Sequence, residues 1–358
     1  MLEIGDIREQ ASDIGVFFPL SYETESLGTP GSLHGHALAG RNVLQMQSAH
    51  DADASGAPTD ASIARYQAAV REKQYSIVLL EPAAIAENAR LNENDFVISE
   101  KTQPAFKALT EAIRLASQDA FGTKPLIVAL LTHAGHHALY PVSMEHSPSL
   151  PTDARILTDD ELTAMVIECG TAAKQAEQAG CDGVALNAAD RSLFGESLAA
   201  FHRDGKFGGD FDDRTRFVRD CYTAMKMMTT DNLFFTIRLT LSDGIPQPDG
   251  WGMAFEDSAA PDLYEPGLLL KIMQALYGVE LVFCAIGIPQ INWMLEAQPE
   301  SDLIRMSRMC TCIAMLDSDL QQSVQLVVPE IPSEDISFAN LASGMIAGEF
   351  ASFGGFLG

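Results

Sequence analysis

Three side chains with chemistry to offer lie close together in Asn187-Ala-Ala-Asp190-Arg191-Ser192. An asparagine amide donates hydrogen bonds to a substrate oxygen. A carboxylate three residues on can meet a cationic substrate or, if protonated in an apolar pocket, donate a bond itself. Ionised, Asp190 opposes an oxyanion, and the Ser192 hydroxyl is a far weaker acid than a phenol. A second set, His133, His136 and His137, has with Asp190 the residue types of a metal site. Against that stands a structural role for the histidines, and the expectation is that no residue here holds a metal.

Both sets follow short apolar runs, and such runs alternate with helical patterns along the chain, the signature of βα units around a parallel sheet. Eight strands are expected, at 42–46, 75–81, 125–132, 182–187, 233–240, 279–286, 324–329 and 350–354. The first histidine then falls just past strand three and Asp190 just past strand four, at one mouth of a barrel. Thr158 and Glu161 have the spacing of a capping box, and Gly180 ends the helix they start. Residues 27–60 and 244–265, rich in Gly, Pro, Ser and Asp, read as loops around strand one and after strand five. Met225, Met227 and Met228 are expected to fill core gaps. Trp251 and Trp293 are expected to anchor their own loops, and Arg214 and Arg216 to have structural roles.

Composition narrows the function classes. The 358 residues are 47% hydrophobic, enough for one large core. Forty-nine acidic against 23 basic residues give a net charge of −26, which repels phosphate backbones and anionic lipid. Nucleic-acid and membrane partners are therefore not expected. No basic-then-apolar leader and no membrane-length apolar run are present, and the expected location is cytoplasmic. Six scattered cysteines suit free thiols, and Cys310-Thr-Cys312 is too short to hold a metal or cluster.

Several segments match one family in order: GAPTDASIARY at 56–66, FKALTEAIRLA at 106–116, LLTHAGHH at 130–137, FGGDFDDRTRF at 207–217 and TIRLT at 236–240. By these the chain resembles the old yellow enzymes, FMN-dependent NADH:flavin oxidoreductases. The resemblance implies a (β/α)8 barrel as one domain over 1–358, with 1–41 as an N-terminal extension or cap. It implies FMN as cofactor, with Gln45, Arg238, Gly354 and Gly355 on the cofactor side and Asn187 and Asp190 facing substrate. It also exposes departures. Asp190 and Ser192 stand where the family keeps a substrate-binding histidine or asparagine and a proton-donating tyrosine. Leu130 replaces a glutamine, Leu357 a phosphate-pairing arginine, and Pro329-Glu330-Ile331 a Gly-x-Gly turn. A proline donates no N–H, and a glutamate repels a phosphate dianion.

From these departures the first functional reading is a degenerate member, with FMN binding lost or weakened, acting as a structural or regulatory partner subunit. Beside it stands a working FMN oxidoreductase with an altered, cationic substrate, and behind both a metal-dependent barrel hydrolase. Because Gly358 directly follows the expected eighth strand, the edge between strands eight and one is expected to be covered, by residues 1–25 or by a partner in a homo- or hetero-oligomer.

Overall fold

A computed structural model describes residues 30–147, 153–255, 260–288, 307–313, 315–316, 320 and 324–328, a few positions before residue 30, and the backbone of 343–346. The described chain begins with a hairpin, β1 (Gly31–Leu33) and β2 (His36–Leu38), followed by β3 (Asn42–Gln45), α1 (Asp60–Glu72) and β4 (Ile77–Leu79). Two short strands, β5 (Ala83–Ala84) and β6 (Phe96–Val97), precede α2 (Gln103–Phe121) and β7 (Leu126–Thr132). Another short pair, β8 (Val142–Ser143) and β9 (Arg155–Ile156), leads to α3 (Asp159–Gln178) and β10 (Gly183–Ala188). Then come α4 (Leu193–Leu198), α5 (Phe211–Met228), β11 (Phe234–Thr240), α6 (Tyr264–Tyr277), β12 (Leu281–Ala285), β13 (Gln325–Val328) and β14 (Ser343–Ile346).

The fold is a (β/α)8 barrel. Its staves run β3-β4-β7-β10-β11-β12-β13-β14, and β14 pairs back onto β3 to close the ring. Seven of the expected strands coincide with staves. The eighth does not: the stave is β14, earlier than 350–354, and it runs antiparallel to both β13 and β3. The expectation carried the βα alternation through to the end, whereas an antiparallel return needs no helical crossover. Residues 350–354 lie outside the described residues, as does most of 1–25.

Period-2 alternation sorts each stave into two faces. On β7, Leu126, Val128 and Leu130 point into the barrel with Val43, Ile77, Leu79, Ala185, Phe234, Leu281, Phe283 and Val327. Ile127, Ala129 and Leu131 point out to the layer shared with the helices. The hairpin was expected as loop, yet Leu33 and Leu38 join the interior cluster, each nearly fully buried. Its turn, His34-Gly35, has positive φ at both residues, and the histidines hid an alternation whose apolar members are only these two leucines.

Helix ends follow their caps. Thr158 accepts from Glu161 N–H while Glu161 accepts from Thr158 N–H at 2.8 Å, the expected capping box. Gly180, at φ +84°, turns the chain out of α3. Arg214, among the largest fully buried side chains, bonds Gly209 O, Leu198 O and Glu265, tying the loop after β10 to α5 and α6. Arg216 pairs with Asp212 and Asp213 on its own helix. Met225 is buried as expected, but Met227 is 80% exposed, because three nearby methionines cannot all share one face of α5.

Tyr222 joins α5 to the sheet: its hydroxyl donates to Thr236 O at 2.5 Å and accepts from Leu186 N–H at 3.4 Å. Tyr222→Phe leaves both backbone groups short of a buried partner. It is expected to cost about 1–2 kcal/mol in urea unfolding, with little change in the shape of the far-ultraviolet spectrum.

Candidate active site at the carboxyl end of the barrel

The inward positions of the staves turn polar at their carboxyl ends. Continuing the parity of Leu126, Val128 and Leu130 leads to Thr132. On β10 and β11 the same parity leads to Asn187 and Arg238, which are register partners. Asn187 Nδ2 donates to Thr132 Oγ1 at 3.2 Å, and its Oδ1 accepts from Arg238 Nη1 at 3.0 Å. The same Nη1 donates to Asp190 Oδ2 at 2.7 Å. One row of hydrogen bonds therefore crosses three adjacent staves, and the structure brings together three of the residues singled out from the sequence.

Asp190 is held there by its backbone. It has φ +55° and Arg191 φ +51°, two consecutive left-handed residues, neither of them glycine. Aspartate tolerates this region better than most; arginine pays strain for it. Two contacts hold the turn. Asp190 N–H donates to Thr240 Oγ1 at 3.1 Å. Arg191 swings away from the barrel axis and pairs with Asp243, both side chains nearly fully buried, through Nε at 3.1 Å and Nη2 at 2.5 Å. Asp243 also accepts from Ile245 N–H and Trp251 N–H, and burial pushes its carboxyl up from the ordinary value against the pull of Arg191. Trp251 is buried with its indole N–H on Thr240 O at 2.8 Å, so it anchors its own loop as expected.

Ser192 does not face the mouth. Its hydroxyl is buried and donates to Asn187 O, which leaves no proton donor where the resemblance places a tyrosine. Leu130 sits in the apolar interior. Gln45 ends β3, and its Nε2 is buried without a partner among the described residues. Gly354, Gly355, Leu357, Pro329-Glu330-Ile331 and Trp293 lie outside the described residues.

The histidines do not assemble with Asp190. His133 is almost fully buried, accepts Gly135 N–H at Nδ1 (3.0 Å), and burial pushes its imidazole down to about 4. Burial, with His137 and Arg191 nearby, does the same to His136. Among the described residues no group of three or more His, Cys, Asp or Glu is arranged to hold a metal ion, and all six cysteines are free thiols.

The sequence reading passed over Glu196, on α4 beneath the turn. It is 2% exposed, accepts from Ser143 Oγ at Oε1, and leaves Oε2 without a partner among the described residues. Burial pushes its carboxyl up to about 7 from 4.5. The folded protein thus holds this proton more tightly than the unfolded chain, so the stability this group contributes is fully present below pH about 4.5. It declines as pH rises towards 7, by roughly 3 kcal/mol from this group alone. Glu196→Gln is expected to flatten that part of the stability–pH curve, read by urea melts at several pH values.

The sequence pattern of the NADH:flavin oxidoreductase / NADH oxidase family matches residues 38–253. The chain belongs to this family. Its flavin is FMN. An NADPH dehydrogenase of Bacillus pumilus is 29% identical over 230 residues, covering 61% of this chain and 64% of that enzyme. A Bacillus subtilis NADPH dehydrogenase is 28% identical with the same coverage. The chain thus spans less than two thirds of the length of these relatives. Among solved structures, an old yellow enzyme homologue from Zymomonas mobilis superposes with a TM-score of 0.63 at 18% identity, over 88% of this chain and 84% of its own. A 2-naphthoyl-CoA reductase superposes with 0.65 at 17% identity, over 84% of this chain and 49% of its own. These likenesses support the barrel fold. No helix among the described residues is long and apolar enough to cross a membrane.

Proposed function

We propose that the chain is an FMN-dependent oxidoreductase that draws electrons from a reduced nicotinamide and acts on a positively charged substrate. The observation that carries this is the Asn187–Arg238–Asp190 row at the barrel mouth. FMN, when bound, supplies hydride transfer. The residues present fit it in two respects. Among the described residues the buried Gln45 Nε2 has no acceptor, and Arg238 uses only Nη1, leaving Nε and Nη2 without partners. A ring edge carrying carbonyl oxygens and ring nitrogens supplies acceptors for both.

The substrate side follows from charge. Asp190 Oδ2 is bound to Arg238, while Oδ1 has no partner among the described residues and the side chain is 29% accessible. A carboxylate so placed attracts a cation and repels an enolate. Asn187 orients the substrate through its amide, and Thr132 holds that amide in place.

A second reading, the degenerate partner subunit, is favoured by the turned-in Ser192 and the apolar Leu130. One experiment separates the two. The purified protein is mixed with FMN, desalted, and its visible spectrum recorded; anaerobic reduction by NADPH is then followed by reoxidation with an enone bearing a quaternary ammonium group or its neutral isostere. Retained flavin with faster reoxidation by the cationic enone is expected. A colourless protein favours the partner reading, and a flavoprotein indifferent to charge overturns the substrate assignment alone.

A further inference from the structure

A cavity of about 480 Å³ opens on the outer side of the barrel, between the loops that follow β7 and one face of α3. Glu161, Ala164, Met165 and Glu168 line it at i, i+3, i+4 and i+7 on that face. Val142 and Leu157 form the opposite wall, and Ala164, a small residue on a helix face that elsewhere carries long side chains, leaves the space open.

His133 reaches this cavity from the end of β7. Because Nδ1 accepts the Gly135 N–H, the ring proton resides on Nε2, and Nε2–H has no protein acceptor among the described residues. The side chain is almost fully buried but for this edge, so Nε2–H is left to bond whatever fills the cavity, water or a ligand. At the rim Glu168 carries a carboxylate with no partner among the described residues, and burial pushes it up from its ordinary value. The other charges are already matched, since Arg155 and Glu161 pair at 2.8 Å. Beside the polar side chains of Asn88 and Tyr140, the cavity therefore presents the His133 donor, apolar walls and an unmatched acid.

We propose that this cavity is a binding site, separate from the barrel mouth, for a small amphipathic amine. Its oxygen accepts from His133 Nε2–H, its apolar body lies against Met165, Leu157 and Val142, and its ammonium group meets Glu168. A phenol or carbonyl oxygen satisfies the first requirement; a carboxylate in place of the amine would face Glu168 and be repelled.

Tyramine is a suitable probe, with 4-hydroxyphenylpropionate as the acidic counterpart on a similar body. Calorimetric titration of the full chain is expected to show tyramine binding at a Kd of about 1 mM or tighter, and the acid binding at least tenfold more weakly. Glu168→Gln is expected to weaken tyramine about tenfold or more, and Ala164→Trp, which fills the cavity from an exposed helix position, to abolish it. Asp190→Asn removes the acid at the barrel mouth, so tyramine affinity lost in that variant and kept in Glu168→Gln would place the amine at the mouth and overturn the assignment. If tyramine fails to bind, binds no better than the acid, or binds Glu168→Gln and Ala164→Trp like the parent protein, the assignment is overturned. Should Ala164→Trp not fold, Glu168→Gln decides alone. Because none of these readings uses flavin, the outcome is independent of the oxidoreductase proposal.

Discussion

Asp243→Ala is expected to lower the unfolding free energy by about 3–5 kcal/mol, the largest stability loss predicted for this protein. Removing this carboxylate strands the Arg191 guanidinium, 3% exposed, without its ion-pair partner and with the Asp249 carbonyl still accepting from Nη2. It also deprives the Trp251 and Ile245 N–H groups of their acceptor. The damage is the unpaired charge, so removing both charges should be milder. Arg191→Met with Asp243→Leu is expected to recover a large part of the loss. Chemical denaturation of the three variants tests this. If the double variant is as unstable as Asp243→Ala, the backbone acceptor role of Asp243 outweighs the ion pair.

Arg238→Met is expected to reduce turnover of the flavoprotein by two to three orders of magnitude, comparable to removing one preorganised donor from an electrostatic site. Methionine retains the reach of the side chain and removes its donors. Asn187 Oδ1 and Asp190 Oδ2 then lose their shared partner, and the row across the three staves is interrupted. Arg238→Lys keeps the charge but not the planar fork that serves Asn187, Asp190 and a cofactor edge together, and should fall between the two. Steady-state kinetics with matched flavin occupancy checks the order. Equal activity in all three proteins would remove Arg238 from the site.

Much of the barrel was legible because its staves are buried on both faces and read as unbroken apolar runs, as Leu126–Thr132 and Phe234–Thr240 do. The Asn187–Arg238 pairing was not drawn from the sequence, although both residues fall on the inward parity near the strand ends. What stayed hidden depends on contacts between distant positions. Arg191 and Asp243 are 52 residues apart and sit in different loops, and nothing in either segment marks the other. Glu196 looked like an ordinary residue of a short helix, and only burial gives it an unusual carboxyl. Ser192 was read correctly as a poor acid, but its turn towards Asn187 O comes from the backbone path. The hairpin escaped because its histidines and glycine mask two buried leucines.

The left-handed turn at Asp190 and Arg191 bears on how this site can change. That backbone shape accepts aspartate and asparagine at little cost and most other side chains poorly. Position 190 is thus restricted to a narrow alphabet whose two main members have nearly the same outline and differ in charge. Exchanging one oxygen for nitrogen there would change the sign of charge the mouth favours while leaving the loop, its clamp on Arg191 and the row of hydrogen bonds behind it largely where they are. On the proposed function, the substrate preference would rest on a position that a single step can reset.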